Sequence, residues 1–213
     1  MGKISQGILG GLSGKVGSII GGNWKGIDYI RIKPSSVANP RTPGQVNQRN
    51  KFSATIEFLQ PNKDFLNVGF KAFAIKKTSF NAAMSYILGN AITGTAPNFN
   101  VDYSLALLSK GNLTAPLNGS VDLSTANQVT FDWDDNSSDG NASTTDKSMV
   151  LAYNQSKKES IYILDGAQRS VTSQVLILPT SYTGDTIQLF MAFVSEDGKK
   201  VSNSVYLGSG AVA

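Results

Sequence analysis

The run Asp132-Trp133-Asp134-Asp135-Asn136-Ser137-Ser138-Asp139-Gly140 packs carboxylate, amide and hydroxyl oxygens into nine residues. Hard cations such as calcium take clustered oxygens, and Asp132, Asp134 and Asn136 copy the first ligand positions of an EF-hand loop. The copy then fails, because the sixth place is not glycine and the twelfth is Ser143 instead of glutamate. The stretch reads better as a solvated loop between two strands, with Trp133 packed beneath a β-sandwich. Other chemistry is narrower still. The chain has no histidine and no cysteine. Disulfides, thiolate nucleophiles and Cys/His zinc sites are therefore excluded, and no side chain titrates near neutrality unperturbed. Serines are numerous, but their spacing points to no lysine or carboxylate base for a nucleophile. Gly14-Lys15 suggests half of a phosphate loop, without the Gly-Lys-Ser/Thr ending, and no GxGxxG fingerprint is present. No enzyme activity, cofactor, metal or small-molecule substrate is expected.

Charge is distributed unevenly along the 213 residues. Residues 1–100 carry 12 Lys and Arg against 3 Asp and Glu, whereas the rest of the chain is net acidic, for a total of +4. Arg31, Lys33, Arg41, Arg49, Lys51, Lys63, Lys71, Lys76 and Lys77 form the basic bias. Aromatic residues are not interleaved with them as base-stacking platforms require, so nucleic acid is not the expected partner. Pairing with the acidic region of a neighbouring subunit, or ordinary solvation, accounts for them better.

Three regions would have to position these groups. Residues 1–40 form a glycine-rich arm followed by a strand. Each interior glycine costs a helix about 1 kcal/mol relative to alanine, so an extended arm is expected there. Its apolar residues Ile8, Leu12, Val16, Ile19 and Ile20 suit docking on a neighbour, with the glycines permitting close backbone approach. Ile27 to Ile32 then alternates, with Ile27, Tyr29 and Arg31 on one face, Asp28, Ile30 and Ile32 on the other, and Trp24 before it. Residues 41–110 read as a helical body. Thr42, Pro43 and Gln45 make a capping box for a helix reaching Gln60, with Phe52, Ile56 and Leu59 on its apolar stripe. Ser79 caps a second helix through Phe80, Ala83, Met84, Ile87 and Ala91, and Asp102–Ser109 is taken as a strand. Residues 111–213 read as all β, with strands at Gln128–Trp133, Ser148–Tyr153, Ser160–Leu164, Val171–Leu178, Thr186–Val194 and Val201–Leu207.

The order of Trp133, Tyr153, Leu176-Ile177-Leu178-Pro179, Tyr182 and the Ser195–Gly198 hairpin resembles the fibronectin type III or immunoglobulin pattern. The segments from Gly7 to Pro34, Asn39 to Phe52, Ser79 to Gly94 and Val101 to Leu113 resemble a domain-of-unknown-function family of short proteins from Bacteroidota and their phages. That resemblance implies no activity and no catalytic residues. It adds a connection to structural genes of phages and prophages.

The fold expected is α+β: an extended arm, a small helical and strand body, and a C-terminal immunoglobulin-like sandwich. The function expected is structural, as an assembly protein of a phage or prophage-derived particle, in the virion or assembling in the cytoplasm. Its contacts, with itself or with other subunits, would run through Ile8, Leu12, Val16, Ile19, Ile20, Trp24, Tyr29, Arg31 and Arg41. The alternative is a surface adhesin or carbohydrate-binding module acting through the sandwich. Glycines and serines interrupt every apolar run near the N-terminus, so neither a cleaved signal peptide nor a membrane span is expected.

Overall fold

The structure, a computed structural model, describes residues 3–4, 12–24, 27–36 and 41–213. The chain divides into two compact units, Met1–Thr42 and Pro43–Ala213.

The first unit is an antiparallel meander of β1 (Lys3–Ile4), β2 (Leu12–Val16), β3 (Ile19–Trp24) and β4 (Ile27–Ile32), in that order across the sheet. The expected extended arm is thus folded back on itself. Two glycines show why. Gly17 opens the two-residue turn between Val16 and Ile19 at φ +58°, on the side of the backbone map that tight hairpin turns need. Gly21 lies so close under Leu12 that a Cβ there would collide with the Leu12 carbonyl. The glycines that disfavour a helix therefore build a hairpin, and the ladder continues past β4 through the Lys33 amide, which donates to the Ser18 carbonyl at 2.7 Å.

The second unit begins with α1 (Pro43–Leu59), α2 (Lys63–Gly69), a 3-10 turn at Lys71–Phe73 and α3 (Ser79–Asn90). A hairpin follows, β5 (Ile92–Thr95) and β6 (Asn98–Val101). Seven strands then form a sandwich: β7 (Leu117–Asp122), β8 (Gln128–Asp134), β9 (Lys147–Asn154), β10 (Glu159–Ile163), β11 (Ser173–Ile177), β12 (Thr186–Val194) and β13 (Val205–Ala211). One sheet has the order β11-β8-β7 and the other β10-β9-β12-β13, with every pairing antiparallel. This is an immunoglobulin-like arrangement.

The sequence of the two central strands explains how the helices attach. β9 and β12 are nearly continuous apolar runs, the mark of strands covered on both faces. Val150, Ala152, Leu189, Met191 and Phe193 face the other sheet, where Val129, Phe131, Trp133 and Leu176 complete one core. Met149, Leu151, Tyr153, Phe190 and Ala192 face outward into a second core with Phe58, Leu59, Phe65, Leu66, Phe70, Ala83 and Ile87 of the helices. The boundary expected between residues 110 and 111 therefore falls inside one unit, because the helices roof the four-stranded sheet.

Several local expectations are corrected. The buried side of α1 is Thr55, Phe58 and Leu59, while Phe52 and Ile56 are exposed. The cap of α3 is Thr78, whose hydroxyl accepts from the Asn81 amide at 3.1 Å, and Ser79 is the first helical residue. Asp102–Ser109 is not a strand: the Asp102 carboxylate accepts from the Ser104 amide and hydroxyl and holds a turn. The β5–β6 hairpin and β7 were not anticipated. The last strand starts at Val205, after a short bridge from Val201 to Val194.

Candidate functional site

Most of the anticipated interface residues lie on the N-terminal sheet. Register places Val16 beside Ile19 and Ile19 beside Ile32, so the three form a row across β2, β3 and β4. Ile30, opposite Gly21, extends that face. At its end the Asn23 amide donates to the Asp28 carboxylate at 2.7 Å. The opposite face carries Lys15, Ile20 and Arg31 in a second cross-strand row, with Tyr29 and Ile27 beyond it. The Tyr29 ring covers Gly22, where a Cβ would meet the ring carbons at 3.0 Å. One face is thus aliphatic and the other is basic with an aromatic ring.

Every residue of β4 is exposed, and Ile27, Ile30 and Ile32 are 65, 67 and 77% exposed. An edge strand of this kind also presents unpaired backbone donors and acceptors along its outer side. Leu12 and Ile20 are half-buried within the sheet, while Val16, Ile19, Tyr29 and Arg31 are exposed. Trp24 ends β3. Ile8 lies outside the described residues. Arg41 precedes α1 in the chain, exposed and with φ +47°.

The oxygen-rich loop after β8 does different work. Asn136 is buried, and its side-chain oxygen accepts from Arg169 at 2.6 Å. Arg169 is fully buried, pairs with Asp146 at 3.1 Å, donates to the Thr114 carbonyl at 2.9 Å and stacks 3.8 Å from the Phe193 ring centre. Burial pulls the Arg169 guanidinium below its ordinary range, while Asp146 pushes back. The Trp133 indole donates to the Arg169 carbonyl at 2.7 Å and meets Phe193 edge-on. Asp134 accepts from Asn118, and no group of acidic residues fit to hold a metal ion occurs among the described residues. The EF-hand-like spacing therefore serves a buried polar anchor. Nothing in the sequence singles out Arg169; an arginine between Gln168 and Ser170 in a connection between two strands is a weak signal.

A further concavity of about 610 Å³ lies between α1, the β5–β6 hairpin and the end of β9. Tyr103 and Tyr153 line it, with Phe58 edge-on to both, at 5.4 and 5.2 Å between ring centres. Burial, reinforced by neighbouring phenols and Glu57, raises both phenol pKa values, that of Tyr103 to about 12.

Comparison with known proteins places the chain. A family model described as "Family of unknown function (DUF6266)" matches residues 11–208. The chain belongs to DUF6266. No curated protein matches this DUF6266 chain. Among solved structures, one similar chain is the fn3 domain of the human collagen alpha-1(XX) chain. It has 11% identity and a TM-score of 0.34, and covers 48% of the DUF6266 chain and 87% of the collagen domain. Among the described residues no helix is long and apolar enough to cross a membrane.

Proposed function

We propose that this DUF6266 protein is a non-catalytic assembly subunit that docks through its N-terminal sheet onto other subunits. The observation that carries this reading is β4, an edge strand exposed on both faces and bearing Ile27, Tyr29, Ile30 and Ile32. Complete burial of an isoleucine is worth about 1.5–3 kcal/mol. Three isoleucines already about one-third covered would then contribute about 3–6 kcal/mol together. Association costs about 4–15 kcal/mol in lost freedom, so one such contact is weak alone. It becomes effective when many copies are held together and each contact raises the local concentration for the next. A repeating particle meets that condition, and in its finer form the proposal is a component of a phage or prophage-derived particle. The basic face, with Lys15 and Arg31, would meet acidic surface on the neighbouring subunit.

The test is light scattering across a concentration series on the full chain and on a variant carrying Ile30→Lys and Ile32→Lys. Both side chains are exposed, so the variant keeps its fold. The wild type is expected to form concentration-dependent oligomers that the variant does not form. A wild type that stays monomeric at every concentration, alone and with lysate particles, would remove the reading.

A further inference from the structure

We infer that the basic face of the N-terminal sheet docks on a second copy of this chain, at the outer face of that copy's β7-β8-β11 sheet. The inference rests on the docking reading above and names the surface that receives the sheet.

The sandwich has one covered outer face and one open one. The helices roof the four-stranded sheet over Met149, Leu151 and Phe190. On the three-stranded sheet Val129, Phe131, Trp133 and Leu176 point into the sandwich core, so the residues alternating with them point away. Register sets these in rows, Ser173 with Asp132 and Ser120, then Val175 with Thr130 and Asp122. Ile177 lies beside Gln128, and Asp134 beside Leu117. Val175 and Ile177 are 41 and 66% exposed.

Charge on this face has one sign. Residues 111–146 hold six aspartates and no lysine, arginine or glutamate. Asp146 is paired with Arg169, but Asp122, Asp132 and Asp134 are in no ion pair among the described residues. Asp122 and Asp134 accept only from neutral groups, those of Ser124 and Asn118.

The N-terminal sheet is the complement. Lys15 and Arg31 share a cross-strand row, and neither is in an ion pair among the described residues. Tyr29 and Ile27 continue that face, 44 and 65% exposed. Cations beside apolar side chains thus match aspartates beside apolar side chains. The sizes match too, because each face is three strands of five to seven residues. At about 4.8 Å between strands and about 3.3 Å per residue, each is about 14 Å wide and about 17–23 Å long. A nucleic acid or an anionic lipid surface would answer Lys15 and Arg31 but would leave Val175 and Ile177 uncovered. A second copy answers both surfaces with one contact. Because the two patches differ, the contact is heterologous and propagates head to tail into a ring or a filament.

The experiment is light scattering across a concentration series on two charge-reversed full chains. Lys15→Glu with Arg31→Glu makes both surfaces acidic, and Asp132→Lys with Asp134→Lys makes both basic. Each variant alone is expected to need at least about 10-fold more protein than the wild type for half-assembly. An equimolar mixture restores opposite charge at every contact and is expected to assemble as the wild type does. Lys63→Glu with Lys71→Glu makes the same charge change at exposed positions outside both sheets and is expected to leave assembly unchanged. If circular dichroism shows that the lysine variant is unfolded, Asp132→Asn with Asp134→Asn takes its place, close in shape and expected to weaken assembly in the same direction. The inference alone is overturned, and the docking reading stands, if the wild type assembles and the aspartate variant assembles equally well, or if the mixture of two folded variants does not recover. A wild type monomeric at every concentration also overturns it, and the lysate arm of the earlier test then decides the docking reading separately.

Discussion

Removing the carboxylate of Asp146 tests how the sandwich holds its buried charge. Asp146 is 2% exposed and Arg169 is fully buried, so Asp146→Ala leaves a guanidinium without its counter-ion inside the protein. It also strips the Ser143 amide of its acceptor at 2.8 Å. Breaking a buried pair from one side costs about 3–5 kcal/mol, because the remaining charge stays desolvated. For a chain of this size that lowers Tm by about 6–20 °C. The Asn136 oxygen, the Thr114 carbonyl and the Phe193 ring all still face Arg169, which sets the lower end of the range as the expected value. Combining Asp146→Leu with Arg169→Met removes both charges and is expected to be at least about 2 kcal/mol more stable than Asp146→Ala. Urea denaturation followed by Trp133 fluorescence reads all three proteins. A single-variant cost below about 1 kcal/mol, or a double variant no more stable than Asp146→Ala, would refute the assignment of Arg169 as an obligate paired charge.

Other outcomes follow from the packing. A fragment of residues 111–213 is expected to aggregate or bind a hydrophobic dye, because losing the helices uncovers Met149, Leu151 and Phe190; residues 43–213 are expected to stay soluble in the same assay. Leu59→Ala is expected to cost about 2–5 kcal/mol in denaturant melts, whereas Ile56→Ala, on the exposed side of α1, costs under about 1 kcal/mol. Burial pushes the Tyr103 phenol up from its ordinary 10.0 to about 12, so the stability it contributes is intact below pH 10 and is lost between about pH 10 and 12. Absorbance at alkaline pH, with Tyr103→Phe as the comparison, reads that loss; an unchanged alkaline transition in the variant would contradict it.

How much was legible in the sequence varies with how local its cause is. Strands β8, β9, β10 and β12 were readable because alternation or unbroken apolar runs announce them, and α1 started where Pro43 follows Thr42. The shared core was not readable. The runs in β9 and β12 show that both faces are covered, but not that Phe58 and Leu59 supply the cover. The α1 stripe was misread for the same reason: Phe52 and Ile56 look as apolar as Phe58, and only the position of the sheet decides which side is buried. Glycine is ambiguous in the N-terminal unit, since it disfavours helix in an extended arm and in a hairpin alike, and only the turn at Gly17 and the close approach at Gly21 decide for the hairpin. Tyr103 and Tyr153 stand fifty positions apart with no motif between them, and the cleft they share exists only after the sandwich has formed.

The two central strands have a kinetic consequence. β9 and β12 are walled on both sides and bonded to each other along eight residue pairs, so neither can open without disturbing both cores at once. Their amide protons should therefore be the slowest in the molecule to exchange with deuterated solvent, escaping only when the whole second unit unravels.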